Sequence, residues 1–268
     1  MDISTVLGLI IGIGAILVGQ ILEGGDPRSI LQITAAFIVF GGTGGAVFVS
    51  FPVKTLKYSV IKLKDIFFET KIRHDDIITE IIGFATKARK EGVIVLEKEA
   101  RKASDPLMKT GLEAVSDGAD PGLVRDLMET EVTQLEEMEA GAAKVYESAG
   151  GFSPTIGIIG AVLGLIHVME NLADPSSLGA GIAVAFVATI YGVGAANLVL
   201  IPMGTKLKFK TKQTLQVKEM IIEGILSIQA GESPALIERK LRAFVFEVNL
   251  GGSKEGAAPK EGGAAEAA

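Results

Sequence analysis

Cysteine and tryptophan are both absent from the 268 residues, and histidine occurs twice, as His74 and His167. Without cysteine there can be no disulfide framework, thiolate zinc site, iron–sulfur cluster or cysteine nucleophile. Two histidines argue against a multi-histidine metal site within one chain. A net charge of −6 and a pI of about 5.2 disfavour nucleic acid as a partner.

Charge is also missing locally. Mean hydropathy is +0.42 although 22% of the residues are charged, so the apolar residues are gathered into blocks. Ile3 to Leu22, Ser29 to Val53 and Pro175 to Thr205 hold no Asp, Glu, Lys or Arg, and Ser148 to Met169 carries only His167. A helix needs about 20 apolar residues to cross ~30 Å of hydrocarbon. All four stretches qualify as spans. Buried core helices are the bland alternative, but a soluble domain of this size does not need four such runs. The expected fold class is an all-α integral membrane protein, with four transmembrane helices and a mostly helical cytoplasmic domain. The first run starts Met1-Asp2, lacks a basic leader and has no small-residue cleavage motif before Glu23, so it is expected to be a span and not a cleaved signal peptide.

Lysine and arginine set the orientation. Lys54, Lys57, Lys62, Lys64, Lys71 and Arg73 follow the second run; Lys206, Lys208, Lys210, Lys212 and Lys218 follow the fourth. The links 23–29 and 170–177 are acidic on balance. Both termini and the middle segment are therefore expected in the cytoplasm. The chain divides into spans one and two (1–53), a cytoplasmic helical domain (54–147), spans three and four (148–205), C-terminal cytoplasmic helices (206–249) and a Gly/Ala/Lys/Glu/Pro tail (250–268) expected to be disordered.

Residues 54–70 read as an amphipathic helix that either lies in the headgroup layer or continues span two. Asp75/Asp76, Asp105-Pro106 and Asp120-Pro121 read as helix starts, and Gly92 as an interruption. Leu123, Leu127, Leu135, Met138 and Val145 form an apolar stripe on a long acidic helix aimed at span three. Arg89 and Glu97 lie in a charged stretch around Gly92, read as a solvated face or a docking surface.

No span carries Asp, Glu, Lys or Arg in its interior. An ion carrier ordinarily places an ionisable group there. Either the chain moves no ions, or a partner chain supplies the carboxylate. Gly157, Gly160, Ala161 and Gly164 in span three, with Gly181, Ala185, Ala188, Gly192 and Ala195 in span four, form small-residue faces. Those faces suit tight packing in the bundle or approach of a partner helix. Pro154 and Pro202 sit at matching depth on adjacent spans and mark either helix ends or a hinge pair. Thr189, at mid-depth, most simply bonds its own backbone.

These motifs together resemble the MotA/PomA family, four-span stator subunits of the bacterial flagellar motor. The resemblance rests on the opening MDISTVLGLIIGIGAILVGQILEGG, the GGTGGAV…FP exit of span two, ARKEGVIVLE (88–97), DPLMKTGLEAVSDGADPGLVRDLME (105–129), SPTIGIIGAVLGLIHVM and AVAFVATIYGVGAANLVLIP, all in order. It covers nearly the whole chain to about Val248 and implies a location in the bacterial inner membrane. It also implies a pentamer around two copies of a single-span MotB-like partner whose Asp binds the ion, a rotor contact with FliG through Arg89 and Glu97, functional prolines at Pro154 and Pro202, and an ion path lined by Ala161, Thr189, Gly160 and Gly164. Sodium-type relatives carry Thr where this chain has Ala161, and an acid where it has Gln32. Both differences point to H+ as coupling ion over Na+, with no other cofactor. An ExbB/TolQ-type energiser and a scaffold without ion flow are the competing readings. An enzyme fits least, since Ser148 or Ser153 and His167 lie ~20 Å apart on one helix.

Overall fold

The computed structural model describes residues 2–68, 74–172 and 175–245, with 175–177 as backbone. The expected disordered tail (250–268) lies outside them, as do Lys71, Arg73 and Asp174. The described residues are helices and short connections, without a strand. Four of the helices are long and apolar enough to cross a membrane.

Span one is α1 (Ile3–Leu22), capped by Asp2, whose carboxylate accepts from Thr5 N. A short 3-10 turn (Pro27–Ile30) leads to span two, α2 (Ile33–Ser50), which contains a π-helical turn at Phe37–Gly41. Proline disfavours helix in the residue before it. Phe51, preceding Pro52, is accordingly extended, and a separate helix, α3 (Val53–Phe67), begins beyond it. Of the stretch expected at 54–70, the described part therefore does not continue span two; residues 69 and 70 lie outside the described residues.

A helical unit outside the spans follows: α4 (His74–Glu91), a 3-10 turn, α5 (Leu96–Ala100) and α6 (Pro106–Ser116). Gly92 adopts φ +84°, a conformation open to glycine and costly for other residues, and reverses the chain between α4 and α5. Asp105 and Asp120 cap α6 and the next helix through Leu107 N and Gly122 N. Ile78, Ile81, Leu96, Met108, Leu112 and Met128 meet Met220, Ile221, Ile225, Ile237 and Leu241 in one apolar core.

Two helices carry that core into the bilayer. The first is α7 (Pro121–Glu170), 50 residues or ~75 Å long, which holds Pro154 in its interior. The second begins as α8 (Pro175–Gly194), passes through a π-helical segment (Ala195–Leu200) and continues as α9 (Ile201–Gln229); a last helix, α10 (Pro234–Arg242), folds back on it. Neither Pro154 nor Pro202 ends a helix. Pro202 would clash with the carbonyl four residues back, that of Leu198. Leu198 lies in the π segment, where the hydrogen-bond ladder is already displaced. The boundaries expected at 147/148 and 205/206 fall inside continuous helices.

On α7 the inward stripe differs from the one expected. Val124, Met128, Glu139, Ala142 and Ala143 are buried; of the expected stripe Val145 is buried and Leu135 partly so, whereas Leu123, Leu127 and Met138 are exposed. Val124 and Met128 are four residues apart, one helical turn, and face the core of α6 and α9. Leucines one position earlier are rotated away from it.

Candidate functional site

Spans three and four are packed through glycine. A Cβ on Gly157 would lie 2.8 Å from Ala188 O, one on Gly164 2.7 Å from Gly181 O and 2.8 Å from Ala185 N, and one on Gly192 2.6 Å from Ser153 O. These neighbours are backbone atoms and cannot swing aside. A Cβ on Gly160 would meet side chains instead, Ala188 Cβ at 2.7 Å and Ile38 at 3.2 Å. Gly160 and Gly164, expected beside the ion path, are thus buried in the contact with span four. Within one chain they set the distance between two helices.

The contact fixes where the other expected residues face. Gly160 and Ala188 oppose each other on antiparallel helices. One residue further on, Ala161 and Thr189 each rotate by about 100° to the same side of the pair, at the same depth. Span two covers the opposite side, where Ala35 and Val39 pack with Val184, Val187 and Tyr191. Tyr191 donates to Ile30 O at 2.6 Å, accepts from Gln32 N at 3.2 Å and stacks on Phe40, fixing the entry of span two. Thr189 is exposed and donates to Ala185 O at 3.3 Å, so its hydroxyl is held by its own helix. Ala161 is partly exposed. The structure brings Ala161 and Thr189 together as one uncovered wall.

Pro202 borders an open cleft of ≈ 220 Å³ that is also lined by Thr5, Gly8, Leu9, Leu198 and Lys206. The cleft sits where span one, α3 and α9 converge. Lys206 Nζ is 2.6 Å from the Asp2 carboxylate and also donates to Ser4 and Thr5. Lys210 reaches Asp2 at 3.6 Å and donates to Phe68 O at 2.8 Å. The hydrogen bond from Lys206, with help from Ser4, holds the Asp2 carboxyl well below the usual carboxylate range. Sequence reading missed this clamp, because its members lie at opposite ends of the chain. Its one local signal was an acid immediately before span one.

A second missed cluster ties α3 to α7. Buried Glu139 accepts from Tyr58 Oη at 2.8 Å and pairs with Lys62, which also meets Asp65 at 3.1 Å. Burial works against the charge on Lys62, yet the hydrogen bond and charge of Glu139 hold its ammonium above the usual lysine range. Tyr146 donates to Ser59 O at 2.8 Å beside it. The detectable signal was an acid on the apolar side of α7.

At the far end of the helical unit outside the spans, Arg89 and Glu97 are both exposed, on either side of the Gly92 reversal. Neighbouring charges are engaged internally: Glu99 is paired with Lys102 at 2.8 Å and Lys87 at 2.6 Å, and these keep its carboxyl below the usual range. Arg89 and Glu97 join no such pair with a described residue. Val93 and Ile94, also exposed, lie between them. Among the described residues no group of three or more His, Asp or Glu side chains is placed to hold a metal ion.

Comparison with known proteins accounts for both halves of the chain. Residues 6–92 match the Motility protein A N-terminal family, and residues 99–220 match the MotA/TolQ/ExbB proton channel family. The N-terminal match favours the motility group over an ExbB/TolQ-type energiser. The chain is 35% identical to Motility protein A of Helicobacter pylori over 91% of this chain and 95% of that protein. It is 36% identical to an uncharacterised Bacillus subtilis protein, YtxD, over 91% and 90% respectively. The solved structure of C. jejuni MotAB superposes with a TM-score of 0.86 at 31% identity, covering 95% of this chain and all of that one. With four apolar spans, an all-helical fold and these near full-length relatives, the chain belongs to the Motility protein A group of the MotA/TolQ/ExbB proton channel family, and is a multi-pass inner-membrane protein.

Proposed function

We propose that this chain is the ring-forming subunit of a flagellar stator: about five copies surround a MotB-like single-span partner, and ion flow through the assembly turns the ring against the rotor. The observation that carries the reading is the pairing of two features. The spans hold no carboxylate of their own, and the Ala161–Thr189 wall, on the side away from span two, is uncovered. An apolar wall of that kind suits a partner helix that brings the titrating Asp. Pro154 and Pro202, both inside continuous helices, are the positions where spans three and four bend as the partner changes protonation state.

The coupling ion is H+. Sodium needs several oxygen ligands, and the wall offers few: Ala161 has none, and the Thr189 hydroxyl is engaged with its own backbone. One proton crossing supplies ~2.3 kcal/mol per 100 mV. Exposed ion pairs are worth ~0–1 kcal/mol. A rotor contact made by Arg89 and Glu97 with FliG is therefore weak enough to form and release at each step. The Asp2–Lys206 clamp puts the start of span one at the same end as the lysine-rich flanks of spans two and four. By the lysine bias this end, and with it both chain termini, is cytoplasmic.

Co-expression with a MotB-like partner in a stator-deleted strain tests the reading. Restored swimming that persists without Na+ is expected. Failure to restore swimming with any MotB-like partner overturns the stator role, and strict Na+ dependence overturns the ion assignment. Ala161→Thr is expected to slow the motor or change its ion dependence. An unaltered motor would remove Ala161 from the path.

A further inference from the structure

Helix α3 lies across the ends of the spans. Its first residue follows the exit of span two by two residues, Phe51 and Pro52. Its last turn is fastened to the start of span one: Asp2 N donates to Phe67 O at 2.7 Å, and Thr5 Oγ1 to Ile66 O at 3.2 Å. Both ends of this 15-residue, ~22 Å helix are therefore held at one membrane boundary. Its contacts with α7 agree. Thr55 in the first turn packs on Gly141, and Ile66 in the last turn packs with Ala143, so α3 crosses α7 and does not run beside it. Span three begins a few residues later.

Ser59 and Ile66 face the bundle and are buried, with Tyr58 and Lys62 paired to Glu139 beside them. The opposite face carries Val53, Lys54, Lys57, Val60, Ile61 and Lys64, all exposed and all within about 120° of arc at 100° per residue. No acid lies on that face. Val60 is 67% and Ile61 57% exposed, an unusual pair for a helix facing water. Among the lysines nearby, Lys62, Lys206, Lys208 and Lys210 are in ion pairs, and Lys212 pairs with no described residue. Lys54, Lys57 and Lys64 form none with a described residue.

We propose that this outward face of α3 binds the phosphate headgroups of anionic phospholipids in the bordering leaflet. Val60 and Ile61 reach the acyl boundary, and the three lysines extend along the helix to the phosphates. Continuity with the four spans places the face at headgroup depth, and its unopposed positive charge selects an anionic leaflet over a zwitterionic one. The surface would hold the spans at a fixed depth, and with them Pro154 and Pro202. It depends on membrane placement alone and stands apart from the stator role, so failure of either leaves the other untouched.

The test uses the purified assembly reconstituted with phosphatidylcholine and phosphatidylglycerol in equal parts, reading which spin-labelled lipid is immobilised at the protein. A preference for phosphatidylglycerol is expected. Each lysine near an anionic surface is worth a factor of about five. Lys54→Gln/Lys57→Gln/Lys64→Gln should therefore cut the preference at least about five-fold, while Lys90→Gln, on the cytoplasmic tip, leaves it unchanged. An unaltered preference in the triple variant overturns the proposal. So does its abolition by inorganic phosphate in the wild type, which would make the ligand a free anion. Efficient cross-linking of Lys57→Cys to a neighbouring chain would equally overturn it, making the face an interface between copies.

Discussion

The carboxylate of Asp2 lies 2.6 Å from the Nζ of Lys206, joining the first turn of span one to the end of span four. Span one buries none of its own residues in this chain, so its position depends heavily on such end contacts. The Asp2 carboxyl is held below its ordinary value of 3.8. A depressed carboxyl contributes stability above that ordinary value and loses it as the pH falls below it. Asp2→Asn is expected to cost about 1–2 kcal/mol at neutral pH and to remove part of the acid sensitivity below about pH 3.8. Thermal unfolding of the detergent-solubilised protein across pH checks both. Equal acid sensitivity in the variant would show that the clamp contributes nothing.

Gly164 offers a test of the glycine contact. Its neighbours Gly181 O and Ala185 N are backbone atoms, so a larger residue must push spans three and four apart. Gly164→Val is expected to destabilise by about 1–3 kcal/mol. Size-exclusion profiles after graded heating measure it. A variant as stable as wild type would mean that the helices are less closely set.

Much of the architecture was legible from charge-free runs and helix caps. Asp105-Pro106 and Asp120-Pro121 announce α6 and α7, and the aspartates cap both. Periodicity alone could not say which apolar stripe of α7 turns inward. Leu123 and Leu127 look as suitable as Val124 and Met128 until α6 and α9 are in place. Composition likewise marked Gly157, Gly160 and Gly164 as a close-approach face without saying what approaches; the answer is span four. Pro154 and Pro202 invited helix ends; for Pro202 the sequence does not reveal the π-helical segment upstream that accommodates it, and Pro154 lies inside one unbroken helix. The Asp2 clamp was invisible for the reason that applies to any contact spanning some 200 positions.

Glu139 is the buried acid that fastens α3 to α7. Glu139→Ala leaves Lys62 largely buried without its main partner, at a cost of up to about 3 kcal/mol. Tyr58→Phe removes one hydrogen bond and should cost about 1 kcal/mol. Denaturation midpoints in mild detergent rank the two. Similar small losses for both would show that Lys62 finds Asp65 sufficient.

Arg89 and Glu97 are exposed, and neither pairs with a described residue. Arg89→Ala with Glu97→Ala should leave folding and assembly within about 0.5 kcal/mol of wild type and sharply reduce torque. Tethered-cell rotation alongside membrane levels of the protein separates the two effects. Normal torque would remove these residues from the rotor contact.

The division of labour between wall and titrating group is tested most directly by proton flux into liposomes. The purified chain alone should admit H+ no faster than empty vesicles, and co-reconstitution with a MotB-like partner should raise the rate. The rise should vanish when the partner's membrane Asp is replaced by Asn. Rapid H+ entry with this chain alone would contradict the account, since the spans would then conduct without a borrowed carboxylate.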